Sequence, residues 1–429
     1  MKMKMLGHGI WAGLVLVAFL LGSLRPGGAS RTSSDEPAGS STRLSALPSS
    51  SVDSVPSAGP SQASWAEIAS DDGDAYVVKI GSDDLERLAR EAAKNPNPIA
   101  RRLAFTELLR AMNAENSMQI REQLVAMGVD GEMWRDFNYQ WGAMAGLDAV
   151  IFAASSDEPD LEATLSGWGS AAPTDAIAFL DNLPEDLSGD RAKIAASIVA
   201  GIADSDRERA TEVVLRLAAE GNSGGEKLIG IVAGKTLRSV GPREASRWSE
   251  SLSEPALKGV AMDQVARAYA KEAPQEAAAW IQRFAEEDYA ARGVEQVADS
   301  WAQRDPTGAV GWLESLPAGT GQRSGLTSVF GDWEDRDPRA ASEYLSSMPQ
   351  SEQRDSAISG FSRGYAWQDP EAAIAWAEVI DDPDLRLSTL TRAGQAYFRR
   401  DPESARVWLQ NSGLPPEAQE KVLEPRRRG

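Results

Sequence analysis

The chain contains no cysteine and a single histidine, His8. The first absence excludes disulfides, a thiolate nucleophile, Fe–S clusters and cysteine-ligated zinc. The second excludes a Ser-His-Asp triad, a histidine-ligated metal and an imidazole base anywhere beyond the N-terminal segment. Positive charge is also scarce: 44 Lys and Arg stand against 64 Asp and Glu, a formal charge of −20. That balance argues against a broad basic face for nucleic-acid phosphate, so no nucleic-acid partner is expected. No Walker A segment, G-x-G-x-x-G fingerprint or EF-hand loop occurs, and no catalytic, cofactor-binding or metal-ligating residue is assigned. Apolar residues are not short, at 42 %, and neither is tryptophan, which occurs 13 times.

The N-terminal segment, residues 1–29, carries Lys2 and Lys4, then an apolar stretch over residues 10–24, then Gly27 and Ala29. The stretch has the length of a signal-peptide core and falls short of the roughly 20 residues of a membrane span. Residues 1–29 are therefore expected to direct export, as a cleaved signal peptide or an N-terminal membrane anchor, and to be the chain's sole contact with a membrane. Cleavage after Ala29 would also remove His8. Residues 30–64 are dominated by Ser, Pro, Ala and Gly and lack aromatics, too poor in apolar surface to offset the entropy of ordering. They read as a disordered linker between the export segment and a folded part in the cell envelope.

The informative feature is a period. Pro242, Pro274, Pro306, Pro338, Pro370 and Pro402 recur at a constant 32-residue interval. Three positions after each Pro stands an alanine: Ala245, Ala277, Ala309, Ala341, Ala373 and Ala405. Six after stands Trp248, Trp280, Trp312, Tyr344, Trp376 or Trp408, and five before stands Leu237, Tyr269, Trp301, Trp333, Tyr365 or Tyr397. Looser copies run back through Ile202, Arg207, Ala210 and Val213, with Arg in place of Pro, and through Trp168, Pro173, Ala176 and Phe179 to Trp141, Gly146, Ala149 and Phe152.

Each unit reads as a helical hairpin. Asp305, Asp337, Asp369 and Asp401 precede their prolines, the pattern of a capping side chain followed by Pro at the first helical position. Ala309, Trp312, Leu313 and Leu316 fall on one face of a short helix, which Leu316-Pro317 ends. Residues 318–325 carry turn residues, and Leu326, Val329, Phe330 and Trp333 then mark the face of a longer second helix. A lone hairpin cannot cover its apolar face, whereas stacked copies can. The expected fold is all-α: an α-solenoid of stacked αα-hairpins, with a 32-residue repeat, over residues 141–415. Residues 65–140 are a transition and a divergent helical cap, with Leu85, Leu88, Ala89 and Ala92 as one stripe and Ile99, Leu103 and Leu108-Leu109 as another. Residues 416–429 read as a solvated tail.

Pro306 with Trp312 six positions later resembles the tetratricopeptide/HEAT class of helical-repeat proteins. The 32-residue period and Ser315-Leu316, where that class places Leu-Gly, depart from it. The chain also resembles exported bacterial proteins built on W-x(4)-P-x-x-A-x-x-W repeats, a resemblance that implies no activity. Because helical-repeat folds host many functions, function must come from the surface. Glu250, Gln282, Glu314, Glu378 and Gln410 share one offset and form the candidate partner-binding ridge, suited to a basic protein. Asp381-Asp382-Pro383-Asp384 reads as turn and caps, and Trp367, off its column, reads as partly buried. The expected function is a non-enzymatic envelope scaffold for protein–protein interaction. The alternatives are a carboxylate-dependent carbohydrate-active enzyme on an α/α toroid and a plain structural spacer.

Overall fold

A computed structural model describes residues 81–156, 160–184, 190–221 and 224–424; the export segment and linker expected over residues 1–64 lie outside them. The described residues are helical with no strand, and none of their helices is long and apolar enough to cross a membrane. The chain divides into two compact units, Met1–Ser205 and Asp206–Gly429. The division falls at the copy that carries Arg207 in the place of proline.

In the first unit the order is α1 (Ser82–Lys94), α2 (Pro98–Arg110), α3 (Ser117–Met127), α4 (Gly131–Ala145), α5 (Leu147–Ser155), α6 (Leu161–Ala171), α7 (Pro173–Asp181) and α8 (Arg191–Ser205). Leu85, Leu88, Ala89 and Ala92 of α1 are buried as their spacing predicts. The stripe expected on α2 is corrected: Ile99 and Leu103 are 68 % and 61 % exposed, and the helix turns Ala104, Phe105 and Leu108 inward instead. Both faces of α2 carry apolar side chains, and the one bearing the aromatic removes more area from water. Helix α6 packs between α4 and α8, with α5 set against α4 and α6 and α7 against α6 and α8.

The second unit comprises α9 (Arg207–Ala219), α10 (Gly225–Glu250), α11 (Pro255–Glu272), α12 (Pro274–Ile281), α13 (Ala291–Ala302), α14 (Pro306–Ser315), α15 (Thr320–Arg336), α16 (Pro338–Ser347), α17 (Glu352–Tyr365), α18 (Pro370–Glu378), α19 (Pro383–Arg400), α20 (Pro402–Asn411) and α21 (Pro416–Leu423). The long helices α11, α13, α15, α17 and α19 pack in chain order, and α12, α14, α16 and α18 each touch the long helix before and the one after. Helix α21 occupies residues expected to be tail. It buries Ala418 and Val422 against α19, and so short a segment shows no period in sequence.

The six alanines of the repeat are all fully buried. A short helix presses its alanine side against the long helices, and a larger residue there would hold them apart. The two aromatic columns meet across four of the proline bends, and before Pro370 it is Phe361 rather than Tyr365 that meets Trp376. Ring centroids are 6.2 Å apart for Tyr269–Trp280, 6.1 Å for Trp301–Trp312, 5.7 Å for Trp333–Tyr344 and 6.4 Å for Tyr397–Trp408. Tilted rings at these separations add about 0.5–1.5 kcal/mol to the area they bury.

The Asp-Pro starts act as caps. Asp305, Asp337 and Asp369 accept from the amides of Gly308, Ala340 and Ala372, and Asp401 accepts from those of Glu403 and Ser404. Ala273 holds φ −143° and ψ 81°, close to the −147° and 84° of Asp305, so the carboxylate adds a bond without setting the bend. Gly241 replaces that residue before Pro242, at φ 77° and ψ 173°, a non-helical kink that divides α10 into two helical segments. The turn expected over residues 318–325 is also corrected, since α15 begins at Thr320. Gly321 and Gly325 lie inside the helix because it presses on Ala291 and Leu313, and buried Gln322 donates to the carbonyls of Leu313 and Leu316 at 2.9 Å each, closing the end of α14.

Long helices approach one another closely. A Cβ on Gly360 of α17 would stand 2.1 Å from the Thr327 carbonyl oxygen of α15. Gly360→Ala should therefore lower stability by roughly 1–3 kcal/mol through forced separation. Gly311→Ala, in α14 with open space around the new methyl, should raise it by up to about 1 kcal/mol. Urea unfolding of both variants tests this; shifts of the same sign would contradict the close approach.

Candidate functional site

The long helices of the second unit run in the same sense, so their N-terminal halves lie side by side. Ser324, Ser356 and Ser388 recur at the 32-residue interval on α15, α17 and α19. They line a groove of about 590 Å³ together with Arg323, Thr327, Ser328, Arg363, Leu385 and the acids Glu295, Asp382 and Asp384. This hydroxyl column was legible in the sequence, but Ser carries no periodic apolar signal and the stronger Pro, Ala and Trp columns mask it.

Several groove hydroxyls spend their proton on the backbone. Thr327 Oγ1 donates to the Ser356 carbonyl at 3.1 Å, Ser356 Oγ to that of Glu352 at 2.9 Å and Ser388 Oγ to that of Leu385 at 2.9 Å. Their lone pairs are left to the groove as acceptors. Arg323 and Arg363 supply the donors. Both are exposed, and neither guanidinium makes a hydrogen bond or ion pair among the described residues. The Arg363 guanidinium crosses α15 at Gly331, 3.5 Å from where a Cβ would stand.

The acids differ from one another. Asp382 is engaged as the cap of α19, accepting from the Leu385 amide at 2.8 Å. Asp299, beside the groove on α13, is pushed up to about 6 by burial, with Glu295 and Asp332 adding to the shift while Ser328 and Arg267 oppose it. Among the described residues no group of three or more acids has the arrangement of a metal site. The groove thus offers guanidinium donors, hydroxyl acceptors and flanking carboxylates, a set that suits holding a polar chain.

The candidate ridge does not present one uniform face. Glu250 is half-buried and accepts from Trp280 Nε1 at 2.8 Å and from Arg283. Glu314 is half-buried and accepts from Tyr344 Oη at 3.2 Å, and burial beside this carboxylate pushes the phenol up to about 12. Both bonds reach from one repeat to the next, so the two glutamates fasten successive short helices together. Gln282, Glu378 and Gln410 are exposed.

In the Asp381–Asp384 turn, sequence reasoning missed Asp355. This buried carboxylate accepts from the Asp381 amide at 3.1 and 3.0 Å and from the Asp382 amide at 2.9 Å. Trp367, expected to be partly buried, is 56 % exposed, with the Arg399 guanidinium 5.8 Å from its ring centroid.

Comparison with protein-family models, with curated proteins and with solved structures finds no match to this chain. Since the two groove arginines carry no structural bond, Arg323→Ala and Arg363→Ala should each leave stability within about 0.5 kcal/mol of the parent. Trp312→Ala, which removes a buried ring, should cost roughly 3–5 kcal/mol. Thermal and urea unfolding would show the contrast, and a large loss at either arginine would mean that it supports the fold.

Proposed function

We propose that the protein is a non-catalytic helical-repeat scaffold of the cell envelope that binds protein partners in the long-helix groove of its second unit. In this reading the hairpins stack as an α-solenoid, one hairpin to each repeat, and the N-terminal segment exports or tethers the chain while the linker gives it reach. The supporting observation is the pair of unbonded guanidiniums among outward hydroxyl oxygens in the groove. Arginine is the side chain best suited to fixing carbonyl and carboxylate oxygens by paired donors.

A polypeptide segment crossing the groove would place its oxygens on Arg323 and Arg363 and its basic groups near Glu295 and Asp384. The overall charge of −20 favours a basic partner and a salt-dependent encounter. The ridge of Glu250, Gln282, Glu314, Glu378 and Gln410 remains a second candidate surface for such a partner, with Gln282, Glu378 and Gln410 the members free to contribute.

Affinity capture from envelope extract with the full chain and with an R323E/R363E variant tests the reading. The same proteins should be retained reproducibly at low salt by the parent and lost by the variant. Retention unchanged in the variant rejects the groove, and no reproducible partner rejects the scaffold.

A further inference from the structure

Two positions before Pro306, Pro338 and Pro402 stand Arg304, Arg336 and Arg400, and each closes the end of an earlier long helix. Arg304 donates to the Lys271 carbonyl at 2.9 Å, Arg336 to those of Ala302 and Gln303 at 3.0 and 3.1 Å, and Arg400 to that of Trp367 at 2.9 Å and to that of Gln368. The equivalent position before Pro370 is Gln368. The residue it reaches has changed as well. From Pro274 onward the column four before the prolines runs Ala270, Ala302, Glu334, Ala366 and Phe398, and Glu334 is as fully buried as the alanines around it.

Space for the larger side chain comes from Gly364 of α17, where a Cβ would stand 2.1 Å from Glu334 Oε1. Oε2 accepts from Gln368 Nε2 at 3.3 Å, and Oε1 has no partner among the described residues. One long bond from a neutral amide is poor compensation for burying a carboxylate, whereas the neutral acid loses little and gains a donor of its own. Burial, aided by Asp335 and Asp332 on the same helix, pushes this carboxyl up to about 8.

The charged groups on the elements packed against α15 do not offset this. Asp299 on α13 is itself buried and faces Ser328, Glu314 on α14 is bonded to Tyr344, and Arg339 on α16 to Glu343. On α17, Asp355 holds the turn amides and Arg363 lies across Gly331, a turn away from Glu334. Asp288 belongs to the turn before α13, whose first residue Ala291 meets Gly321 at the opposite end of α15.

We propose that Glu334 and Gln368 form a proton-operated joint between α15 and α17, closed while the carboxyl is neutral and loosened when it ionises. The folded chain holds a proton that the unfolded chain releases at the ordinary glutamate value near 4.5. The joint's contribution to stability is therefore full below that value and is lost as pH rises through about 8. Loosening frees the C-terminal turn of α15 from the segment that leads into α18.

Hydrogen exchange of the full chain between pH 6 and 9, corrected for the intrinsic rate, tests the joint. Protection over residues 330–337 and 361–369 should fall by about tenfold or more relative to α13 and α19. Glu334→Gln should remove that fall, and Asp299→Asn should leave it in place. Identical pH profiles for the parent and Glu334→Gln would overturn the proposal. Should that variant fail to fold, E334A/Q368R installs the Ala and Arg of the repeats on either side. Its protection should not change with pH, and a fall like the parent's would equally overturn the joint.

Discussion

A short helix can lie wedged between two long ones only if the side it drives inward is small, and the buried alanine three positions after each repeat proline meets that condition. Everything larger is displaced to the sides of the wedge. The tryptophans and tyrosines of the two helices then meet as tilted pairs, filling the volume that the alanines leave. Interiors are close-packed, so the alanine and the aromatic pair set each other's positions. The fixed 32-residue interval follows: a residue inserted on either side would rotate both columns out of register.

This arrangement partitions the chemistry. The short-helix side is committed to aromatic packing, and its polar atoms serve the same end, with Glu250 and Glu314 accepting from ring groups one repeat on. Long helices instead meet through small residues, as at Gly360 over the Thr327 carbonyl, and such contacts bring their polar faces into one continuous surface. Ser324, Ser356 and Ser388 line one groove there at the same 32-residue interval as the buried alanines. A binding surface of this kind is assembled from several helices, none of which forms it alone.

The departures from the repeat are informative for the same reason. A rule followed repeatedly makes a broken instance a local event with its own cause. Gly241 makes its bend at positive φ, Asp355 draws the α18–α19 turn inward by its amides, and Glu334 with Gln368 replaces an alanine–arginine pair. The last is the costliest substitution, since it exchanges a methyl for a buried carboxyl. Gly364 opposite it shows that the neighbouring helix accommodates the change.

Spacing along the chain was sufficient for the all-helical class, for the helix starts at Pro306, Pro338, Pro370 and Pro402, and for the buried alanine and aromatic columns. Each of those rests on local backbone chemistry or on a period, and both are written in linear order. Spacing misjudged α2, where two apolar faces compete and the neighbours choose. It also misjudged residues 318–325, whose glycines look like turn residues and in fact admit a neighbouring helix. The groove, the embedded Asp355 and the Glu334–Gln368 contact depend on which side chains meet from one repeat to the next. Such meetings have no local signature, because serine, aspartate and glutamate are read from sequence as solvated until packing removes the solvent.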